Sequence, residues 1–534
     1  MTGEQIAKWA VYEGVLESTT LTPSTDADGG FDPFWDVDVR VRFTGPSGQA
    51  IVVEAFWDGD NTWRFRFAPD EIGVWTWETS SNLDGDEGLN GPTGRFRCTP
   101  YEGDNRLYNH GPVRLSENRR YLTWNDGAPF FWLADTAWNG VLRADEADWA
   151  RYLTTRRDQA FTVVQFVSTQ WRGGREVLGD RRAFEGTDRI QLNPAFFQAL
   201  DDKVAAINDH GLVAAPVALW TLTESDPGQV LSEVAAVRLV KYLVARWGAY
   251  HVVWLLGGDG RYHDEEVAAR WRRIGNAVFN DPQVDRHRRL VTMHPCGQSW
   301  VGPLFRGEAW FDFIGYQSGH GSSKDHLRWL VFGPPASAWD KDPPLPVINL
   351  EPNYEMHPSY HIDRRFTDKE VRRAAYWSLL VSPTAGVTYG NNPIWVWPET
   401  TEVPENHENI GPVEPWVAGL ETPGIRGMTV MRQFFASLPW WRLRPAPEVV
   451  ADQPGTDDPS RFIAAAKSVD GEVAVLYVPA GGSVTLNTEA LGGLSVGCWF
   501  DPRTGVWSDT CVLPADGEPL DAPDDGDWVL SIRR

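Results

Sequence analysis

The chain has 534 residues, which is enough for about three domains of roughly 150 residues, or for one barrel of roughly 250 residues with companion domains. Its 49 Lys and Arg residues against 73 Asp and Glu residues give a formal net charge of −24, which argues against nucleic-acid or anionic-membrane partners and favours a neutral substrate. The sequence shows neither an apolar run of about 18 residues nor a signal-peptide pattern at its N-terminus, so we expect a cytoplasmic protein with no membrane partner.

The composition is rich in aromatic residues and poor in cysteine. The chain holds 28 Trp, 14 Tyr and 24 Phe residues, and tryptophan is common where sugar rings are stacked, although most such rings fill protein cores. Cys98, Cys296, Cys498 and Cys511 show no CxxC spacing, so we predict neither a metal nor a cofactor. Cys498 and Cys511 could be neighbours on adjacent strands, but free thiols are favoured in a cytosolic chain.

The N-terminal region, residues 1–103, is predicted to be a β-sandwich. Short stretches of alternating apolar and polar residues are separated by turn residues, at a spacing typical of that architecture. The predicted strands lie at residues 35–43, 49–57, 61–69, 73–79 and 94–100. These strands hold no convincing acid–base pair, so we expect the domain to brace the protein or to form a wall that faces carbohydrate.

The central region, residues 104–444, is predicted to be a (β/α)8 TIM barrel. A β-hairpin turning at residues 125–127 leads into it, and strands and helices then alternate, as in a parallel α/β sheet. The predicted barrel strands lie at residues 129–138, 161–171, 212–220, 252–259, 290–297, 311–320, 346–354 and 385–395. Eight such units are the number that the barrel requires, and the long loops after the second and eighth strands are expected to carry function.

The C-terminal region, residues 445–534, is predicted to be a second β-sandwich. Its short strands are separated by Gly and Pro turns. The predicted fold class is therefore α/β, with a (β/α)8 barrel flanked by an N-terminal and a C-terminal β-sandwich.

Two carboxylates stand at the ends of apolar barrel strands. Residues 345–354, LPVINLEPNY, place Glu351 at the end of the seventh strand, and residues 251–259, HVVWLLGGD, place Asp259 at the end of the fourth. The carboxyl ends of barrel strands form the active-site face of this fold. We therefore predict that Asp259 and Glu351 face each other across one pocket.

Paired carboxyl groups are what the hydrolysis of a glycosidic bond requires. One acid protonates the leaving oxygen, and the other attacks the anomeric carbon or activates water; in retaining enzymes the two lie about 5 to 5.5 Å apart. Gly257 and Gly258 would allow backbone or ligand to approach closely beside Asp259. Taken singly, Asp259 or Glu351 could instead cap a helix or form a salt bridge, but the matched pair favours catalysis.

Other polar and aromatic residues at strand ends are candidate substrate contacts. Asp135 suits vicinal sugar hydroxyls, and a His or Tyr near Glu351 could tune its pKa. The predicted substrate-binding residues are Asp135, Trp138, Gln165, Trp220, His294, Gln317, His320, Tyr389, Asn391 and Trp395, with Trp171 and Asn392 as further candidates. Internal hydrogen bonding or core packing is the alternative for each of them. Glu224, Asp226 and Glu355 are alternative candidates for the catalytic carboxylates. Glu355 lies four residues after Glu351, beyond Pro352, and is more typical of a group that supports the site from a loop.

Several short motifs, in order, resemble the barrel of the apiosidase-like glycoside hydrolases. They are WLADTAW at 132–138, GGD at 257–259, YQSGH at 316–320, EPNYE at 351–355 and TYGNNPIW at 388–395. The regions before and after the barrel are similar to the β-sandwich and to the collagen-binding-like sandwich that often flank that barrel. The resemblance implies a retaining barrel of the clan-A type, with Asp259 as acid/base and Glu351 as nucleophile. One departure is that many clan-A enzymes carry Asn-Glu where this chain has Gly-Asp.

We therefore expect an exo-acting retaining glycosidase that releases a terminal sugar from an oligosaccharide or a glycan side chain. The family resemblance suggests a furanose such as apiose or arabinose. A non-catalytic carbohydrate-binding barrel is the alternative from another class, and an inverting or transglycosylating enzyme on the same barrel is a third possibility. Carbohydrate is thus the expected partner, and the oligomeric state stays open.

Overall fold

Short amphipathic strands build the N-terminal β-sandwich. In the strand at Val39–Thr44, Val39, Val41 and Phe43 are buried while the arginines between them are exposed, because successive side chains in a strand point to opposite faces. The strands are β1 (Gln5–Ala7), β2 (Tyr12–Glu17), β3 (Val39–Thr44), β4 (Ala50–Glu54), β5 (Phe56–Trp57), β6 (Thr62–Phe67), β7 (Gly73–Ser81) and β8 (Thr93–Thr99). One sheet has the order β1-β8-β7-β3-β4 and the other β2-β6-β5.

A helical turn, α1 (Pro33–Asp36), stands where the sequence predicted the start of the strand at 35–43. The side chain of Asp32 accepts a hydrogen bond from the backbone of Phe34, and Pro33 occupies the first turn. An aspartate cap followed by proline favours a helix start. The strand therefore begins only at Val39.

A small antiparallel sheet connects the sandwich to the barrel. Helix α2 (Arg106–His110) is followed by β9 (Val113–Leu115), β10 (Leu122–Trp124) and β11 (Pro129–Phe130), with sheet order β11-β10-β9. The turn between β10 and β11 contains Gly127 at φ 87°, so the predicted hairpin at residues 125–127 is confirmed.

Parallel strands form the predicted barrel at the centre of the chain. The strands of this region are β12 (Trp132–Thr136), β13 (Val163–Val167), β14 (Phe184–Glu185), β15 (Gln191–Leu192), β16 (Val213–Trp220), β17 (Trp254–Gly260), β18 (Val291–Pro295), β19 (Ile314–Gln317), β20 (Val347–Glu351) and β21 (Gly386–Tyr389). The barrel sheet has the order β18-β17-β16-β13-β12-β21-β20-β19, and β14 pairs with β15 in a hairpin within the loop after β13. The predicted fold class is confirmed.

Helices follow the strands of the barrel along the chain. They are α3 (Gly140–Arg143), α4 (Glu146–Asp158), α5 (Pro194–Asp209), α6 (Pro227–Val230), α7 (Glu233–Trp247), α8 (Glu265–Phe279), α9 (Gly302–Phe305), α10 (Lys324–Val331), α11 (Pro334–Ser337), α12 (Asp368–Leu380), α13 (Asn392–Val396) and α14 (Pro423–Ala436). Short 3-10 helices occupy Glu408–Ile410, Trp416–Gly419, Trp440–Arg442, Pro447–Val449, Pro454–Thr456 and Pro459–Arg461. The sequence supplies their starts: Asp145 caps α4, Ser232 caps α7 and Pro194 opens α5.

Strands β18 and β19 close the barrel through a side-chain seam. The hydroxyl of Thr292 donates to the carbonyl of Phe313 (2.6 Å) and accepts from the backbone of Gly315 (3.1 Å). The carboxylate of Asp312 accepts from the backbone of Val291 (2.9 Å). The two edge strands of the sheet therefore lie side by side and close the barrel.

The C-terminal strands form the second predicted sandwich. They are β22 (Leu443–Pro445), β23 (Ala464–Ser468), β24 (Val473–Val478), β25 (Ser483–Thr485), β26 (Val496–Phe500), β27 (Trp507–Val512), β28 (Pro519–Asp521) and β29 (Trp528–Arg533), with α15 (Thr488–Leu491) between β25 and β26. Thr510 pairs with Cys498 and Gly497 pairs with Cys511. The two cysteines therefore project from opposite faces of the sheet, and both are free thiols.

Ion pairs fasten both sandwiches to the barrel. At the N-terminal interface, Arg246 of α7 binds Asp58 of the sandwich and Asp201 of α5 (2.8 and 2.7 Å), and Arg66 of β6 also binds Asp201 (2.7 Å). At the C-terminal interface, Arg372 of α12 binds the buried Asp527 (2.8 Å). Each sandwich is thus joined to a barrel helix by charged groups that are largely removed from water.

This computed structural model describes residues 4–21, 31–174, 182–281, 284 and 289–534. Within these residues, no helix is both long enough and apolar enough to cross a membrane.

Candidate active site

A cavity of about 250 Å3 opens at the carboxyl ends of the barrel strands. Asp259 at the end of β17 and Glu351 at the end of β20 both line it. The predicted pair of acids is therefore brought to one site. Around them stands a largely aromatic wall made of Trp138, Trp171, Trp220, Tyr354 and Trp395.

A distorted strand end presents Asp259 to the cavity. Its backbone is left-handed, with φ 54°, and the pairing of β17 with β18 shifts register on both sides of Gly258. Such bulges re-aim side chains, and aspartate tolerates positive φ better than most residues. A Cβ at Gly258 would lie 2.7 Å from the ring of Trp220, and one at Gly257 would lie 2.5 Å from the hydroxyl of Tyr262. The glycines thus let these rings pack directly against the strand that carries Asp259.

The pKa of Asp259 is raised to near neutrality. Burial and the nearby charge of Glu351 raise its pKa to about 7, because both disfavour the ionised form. The side-chain amide nitrogen of Gln317 donates to Oδ1 of Asp259 (3.0 Å) and partly offsets that shift. A carboxyl group that titrates near neutrality suits proton transfer in either direction.

Two histidines flank the carboxylate of Glu351. Nε2 of His320 lies 3.1 Å from Oε1, and Nε2 of His294 lies 3.6 Å from Oε2. Burial raises the pKa of Glu351, and His294 and the hydroxyl of Tyr354 partly offset this effect. Each carboxylate oxygen thus has an imidazole nitrogen beside it.

Hydrogen bonds at Nδ1 fix the tautomers of both histidines. The amide nitrogen of Gln317 lies 3.2 Å from Nδ1 of His294, and the backbone nitrogen of Tyr354 donates to Nδ1 of His320 (3.4 Å). Since amide nitrogens only donate, both Nδ1 atoms accept, and the imidazole protons are on Nε2, which faces Glu351. Burial lowers the pKa of both imidazoles, that of His320 to about 3. Neutral N–H groups therefore stabilise Glu351 as an anion.

The two acids consequently have different environments. Asp259 is held by one neutral amide and has its pKa raised by its partner's charge, while Glu351 lies between two N–H groups. Burial raises the pKa of both acids, and the charge of Glu351 acts on Asp259 in the same direction; two acids with such unequal neighbours are typical of a proton donor and a nucleophile or base. The cavity can therefore supply a proton from Asp259 and an anionic oxygen from Glu351.

Several predicted contacts line the cavity or support it. Trp138, Trp220, Gln317, His320 and Trp395 line it, as does Trp171. The indole nitrogen of Trp395 donates to Asn392 (3.0 Å), which fixes the ring. His294 is completely buried behind Glu351, so its place is that of a support for the acid and not of a substrate contact.

Four predicted substrate contacts lie elsewhere, which corrects those expectations. Asp135 is fully buried in an ion pair with Arg156 of α4 (2.6 Å), behind the strand. Gln165 bonds to Leu350 and Thr388 inside the barrel. The hydroxyl of Tyr389 donates to Glu355, and Asn391 caps α13. Side chains alternate along a strand, so Asp135 and Tyr389 point outward to the helices, next to neighbours such as Thr388 that point inward.

Residues on long loops complete the cavity and were missed from the sequence. Leu222, Arg172, His357, Tyr360 and His407 all line it. Arg172 donates to Nε2 of His407 (2.8 Å), which joins the loop after β13 to the loop after β21. The sequence predicted function only for the loops after the second and eighth strands, which carry Arg172 and His407, and it offered no spacing that would single out any of these side chains.

The rival carboxylates have structural surroundings. Asp226 is fully buried and accepts hydrogen bonds from the backbones of Arg172 and Thr223. Glu355 accepts from the backbone of Gly424 at the start of α14, so its predicted supporting role agrees with its contacts. Glu224 is exposed on a loop. Among the described residues, no group of His, Cys, Asp or Glu is arranged to hold a metal ion.

Known families match all three regions of the chain. Residues 116–442 match the family described as "Apiosidase-like, catalytic domain". Residues 5–82 match "Domain of unknown function (DUF5060)", and residues 445–533 match "Putative collagen-binding domain of a collagenase". Among curated proteins, no sequence matches this chain.

Solved structures of glycoside hydrolases share the fold. A structure described as a glycoside hydrolase is 22% identical with a TM-score of 0.68, covering 80% of this chain and 97% of its own. A family 5 glycoside hydrolase from Bacteroides vulgatus ATCC 8482 is 22% identical with a TM-score of 0.65, covering 81% and 95%. A "putative glycoside hydrolase" from the same organism is 18% identical with a TM-score of 0.68, covering 99% of both chains. At these identities the likeness concerns the fold.

Proposed function

This chain belongs to the apiosidase-like family of glycoside hydrolases, and we propose that it is a retaining, exo-acting enzyme that releases a terminal sugar from an oligosaccharide or a glycan side chain. The observation that carries the proposal is the convergence of Asp259 and Glu351 on one cavity, where the pKa of Asp259 is raised to about 7 and an imidazole nitrogen lies beside each oxygen of Glu351.

The reaction proceeds by double displacement. In the first step an oxygen of Glu351 attacks the anomeric carbon while Asp259 gives its proton to the departing glycosidic oxygen. In the second step the ionised Asp259 takes a proton from water, and the hydroxide attacks the same carbon and releases Glu351. The N–H groups of His294 and His320 orient Glu351 for attack and hold its charge when it leaves.

The size of the cavity supports exo action. Its volume of about 250 Å3 is below the ~300–1,000 Å3 typical of pockets for drug-sized ligands, so it accommodates one sugar residue and not a length of polymer. The rings of Trp138, Trp220 and Trp395 offer flat apolar faces to that sugar. The name of the family favours a furanose such as apiose, and arabinose is the other furanose we propose.

Product analysis by NMR tests the proposal. A panel of aryl furanosides and pyranosides identifies the sugar, and proton NMR of the first turnovers identifies the anomer that is released before mutarotation. We expect a furanoside to be the best substrate and the released sugar to keep its anomeric configuration. Release of the opposite anomer would show an inverting enzyme in which Glu351 acts as a base. Absence of turnover on the whole panel, with sugars still bound, would favour the non-catalytic alternative.

A further inference from the structure

An exposed aromatic ring stands at the mouth of the cavity. Tyr360 lines the same cavity as the two acids, yet 60% of its surface is exposed, whereas Trp138, Trp220 and Trp395 are at most 4% exposed. An aromatic ring at the edge of a carbohydrate-binding cavity offers an apolar surface on which a sugar ring can stack. The inner rings and the outer ring therefore serve different parts of a bound molecule.

The loop that carries Tyr360 is held in place. The backbone of Tyr360 donates to the carbonyl of His320 (3.1 Å). On either side of it, Ser359 shares a hydrogen bond with the hydroxyl of Ser322 (2.5 Å), and Nδ1 of His361 accepts from the backbone of Ser322 (3.0 Å). These bonds fix the loop against the end of β19, so the ring is presented to a ligand without an ordering cost at binding.

The ring of Tyr360 is nearly perpendicular to the rings of two more deeply buried histidines. Its centroid is 5.8 Å from that of His320 and 5.7 Å from that of His357, at interplanar angles of 80° and 82°. Burial, Glu351 and Asp259 raise the pKa of its hydroxyl, which is consistent with a hydroxyl that faces the acids. The ring thus packs against these two imidazoles, while 60% of the residue remains exposed to solvent.

Exo action determines what can reach this ring. When one sugar fills the inner cavity, the part of the substrate that leaves through the mouth is the leaving group, on the outer side of the bond that is cleaved. The pairing of an aromatic face with the C–H face of a sugar ring is favourable because it removes apolar surface from water. A leaving group without such a face gains nothing from the ring.

We propose that Tyr360 forms a leaving-group subsite, in which its exposed ring stacks on the first sugar beyond the released one. This inference rests on the proposed exo action. The loop after β20 would then determine selectivity for the leaving group. The side chain of Tyr360 alone would make the enzyme prefer a glycan over a simple alkyl glycoside.

Two substrates with the same released furanose test the subsite. One is the methyl furanoside, and the other is the disaccharide in which glucose is the leaving group. We expect Tyr360→Ala to lower kcat/KM about tenfold for the disaccharide and less than about twofold for the methyl furanoside, in line with the loss of one aromatic stacking contact. Tyr360→Phe keeps the ring and should keep the parent's ratio between the two substrates.

Ile362→Ala is the matched control, because Ile362 is exposed on the same loop and does not line the cavity. It should leave both substrates unaffected, and thermal melting should show that all variants fold. An equal loss on both substrates, or no loss on the disaccharide, would overturn the subsite. A parent enzyme that cleaves neither glycoside would instead refute the proposed function, so the two failures are distinguishable.

Discussion

Two regions of this molecule, the mouth of the barrel and the interface with the N-terminal sandwich, hold carboxylates that are largely removed from water, and the pKa values of Asp259 and Asp201 there shift in opposite directions. Asp201 at the interface binds Arg66, Arg246 and the indole of Trp247, and its pKa is lowered although burial acts to raise it. Asp259 at the mouth is bound by the amide of Gln317, and its pKa is raised to about 7.

This difference shows that burial alone does not separate a structural acid from a catalytic one. Arginines turn Asp201 into a permanent anion that joins two domains, whereas neutral donors leave Asp259 able to exchange a proton. The ion pairs at the sandwich interface therefore stabilise the fold, and the acids at the barrel mouth are available for proton transfer. Variants of the two regions should accordingly affect different measurements, and the following expectations are ordered by size.

Glu351→Gln should have the largest effect on turnover. The amide cannot attack the anomeric carbon, so we expect a loss of at least about 10⁴-fold in kcat on activated aryl glycosides. The melting temperature should not fall, because the variant removes a buried charge. Activity within a few-fold of the parent would refute the assignment of Glu351.

Asp259→Asn should have a large effect that depends on the leaving group. Without a general acid, kcat/KM should fall about 10²- to 10⁴-fold for sugar leaving groups. The loss should be much smaller for dinitrophenyl glycosides, since their leaving groups depart without a proton. A series of aryl glycosides of graded leaving-group pKa measures this trend; a loss of the same size across the series would rule out Asp259 as the acid.

Asp201→Asn should reduce stability and leave the chemistry intact. It removes the charge that two buried arginines share, which costs about 3–5 kcal/mol in the free energy of unfolding. Urea denaturation measures this loss, and kcat measured well below the melting temperature should match the parent. Asp202→Asn, an exposed position on the same helix, is the control and should change stability by less than about 0.5 kcal/mol. Equal effects of the two variants would show that the ion pairs contribute nothing.

Asp259→Asn should also raise stability, and only at higher pH. The folded-state pKa of about 7 lies above the ordinary aspartate value near 3.9. The folded protein therefore holds this proton more tightly than the unfolded chain does, and stability is lost as pH rises through the folded pKa. Asparagine avoids this loss, so the variant should gain on the order of a few kcal/mol at pH 8 and little at pH 4. A gain that is independent of pH would contradict the shifted pKa.

Gln317→Glu should produce the smallest effect, a displacement of the pH–rate profile. A carboxylate at this position repels the charge of Asp259, and it accepts the proton at Nδ1 of His294, so that Nε2 presents a lone pair to Glu351. The first change raises the pKa of Asp259, and the second raises the pKa of Glu351. We therefore expect both the alkaline and the acid limb of the pH–rate profile to move to higher pH by about one unit. Gln317→Met removes the donor without adding charge and should shift the alkaline limb less. An unchanged profile would show that Gln317 does not couple the two acids.

The barrel and its pair of acids could be predicted because they depend on local patterns. Apolar strands followed by helices determine the architecture, and a carboxylate at the end of a strand such as β20 is visible in the sequence. Asp135 and Tyr389 do not line the cavity, because side chains alternate along a strand and these two point away from the barrel interior. In β12, both faces are buried, so composition does not reveal which face points inward.

The loop residues of the site could not be predicted in the same way. Arg172 and His407 meet only because two long loops fold over the barrel mouth. The loop that carries Tyr360 is positioned by hydrogen bonds of its neighbours Ser359 and His361 with Ser322, which lies well before them in the chain. Such contacts depend on the three-dimensional path of the loops, and no periodic pattern in the sequence encodes them.

The left-handed backbone at Asp259 restricts how this barrel can evolve or be redesigned. A longer acid such as glutamate would have to adopt a positive φ, which side chains beyond Asn and Asp rarely do. A glutamate at position 259 would therefore carry a backbone cost of roughly 1–2 kcal/mol, unless the bulge next to β18 were remodelled. The shape of the strand end thus favours the shorter acid.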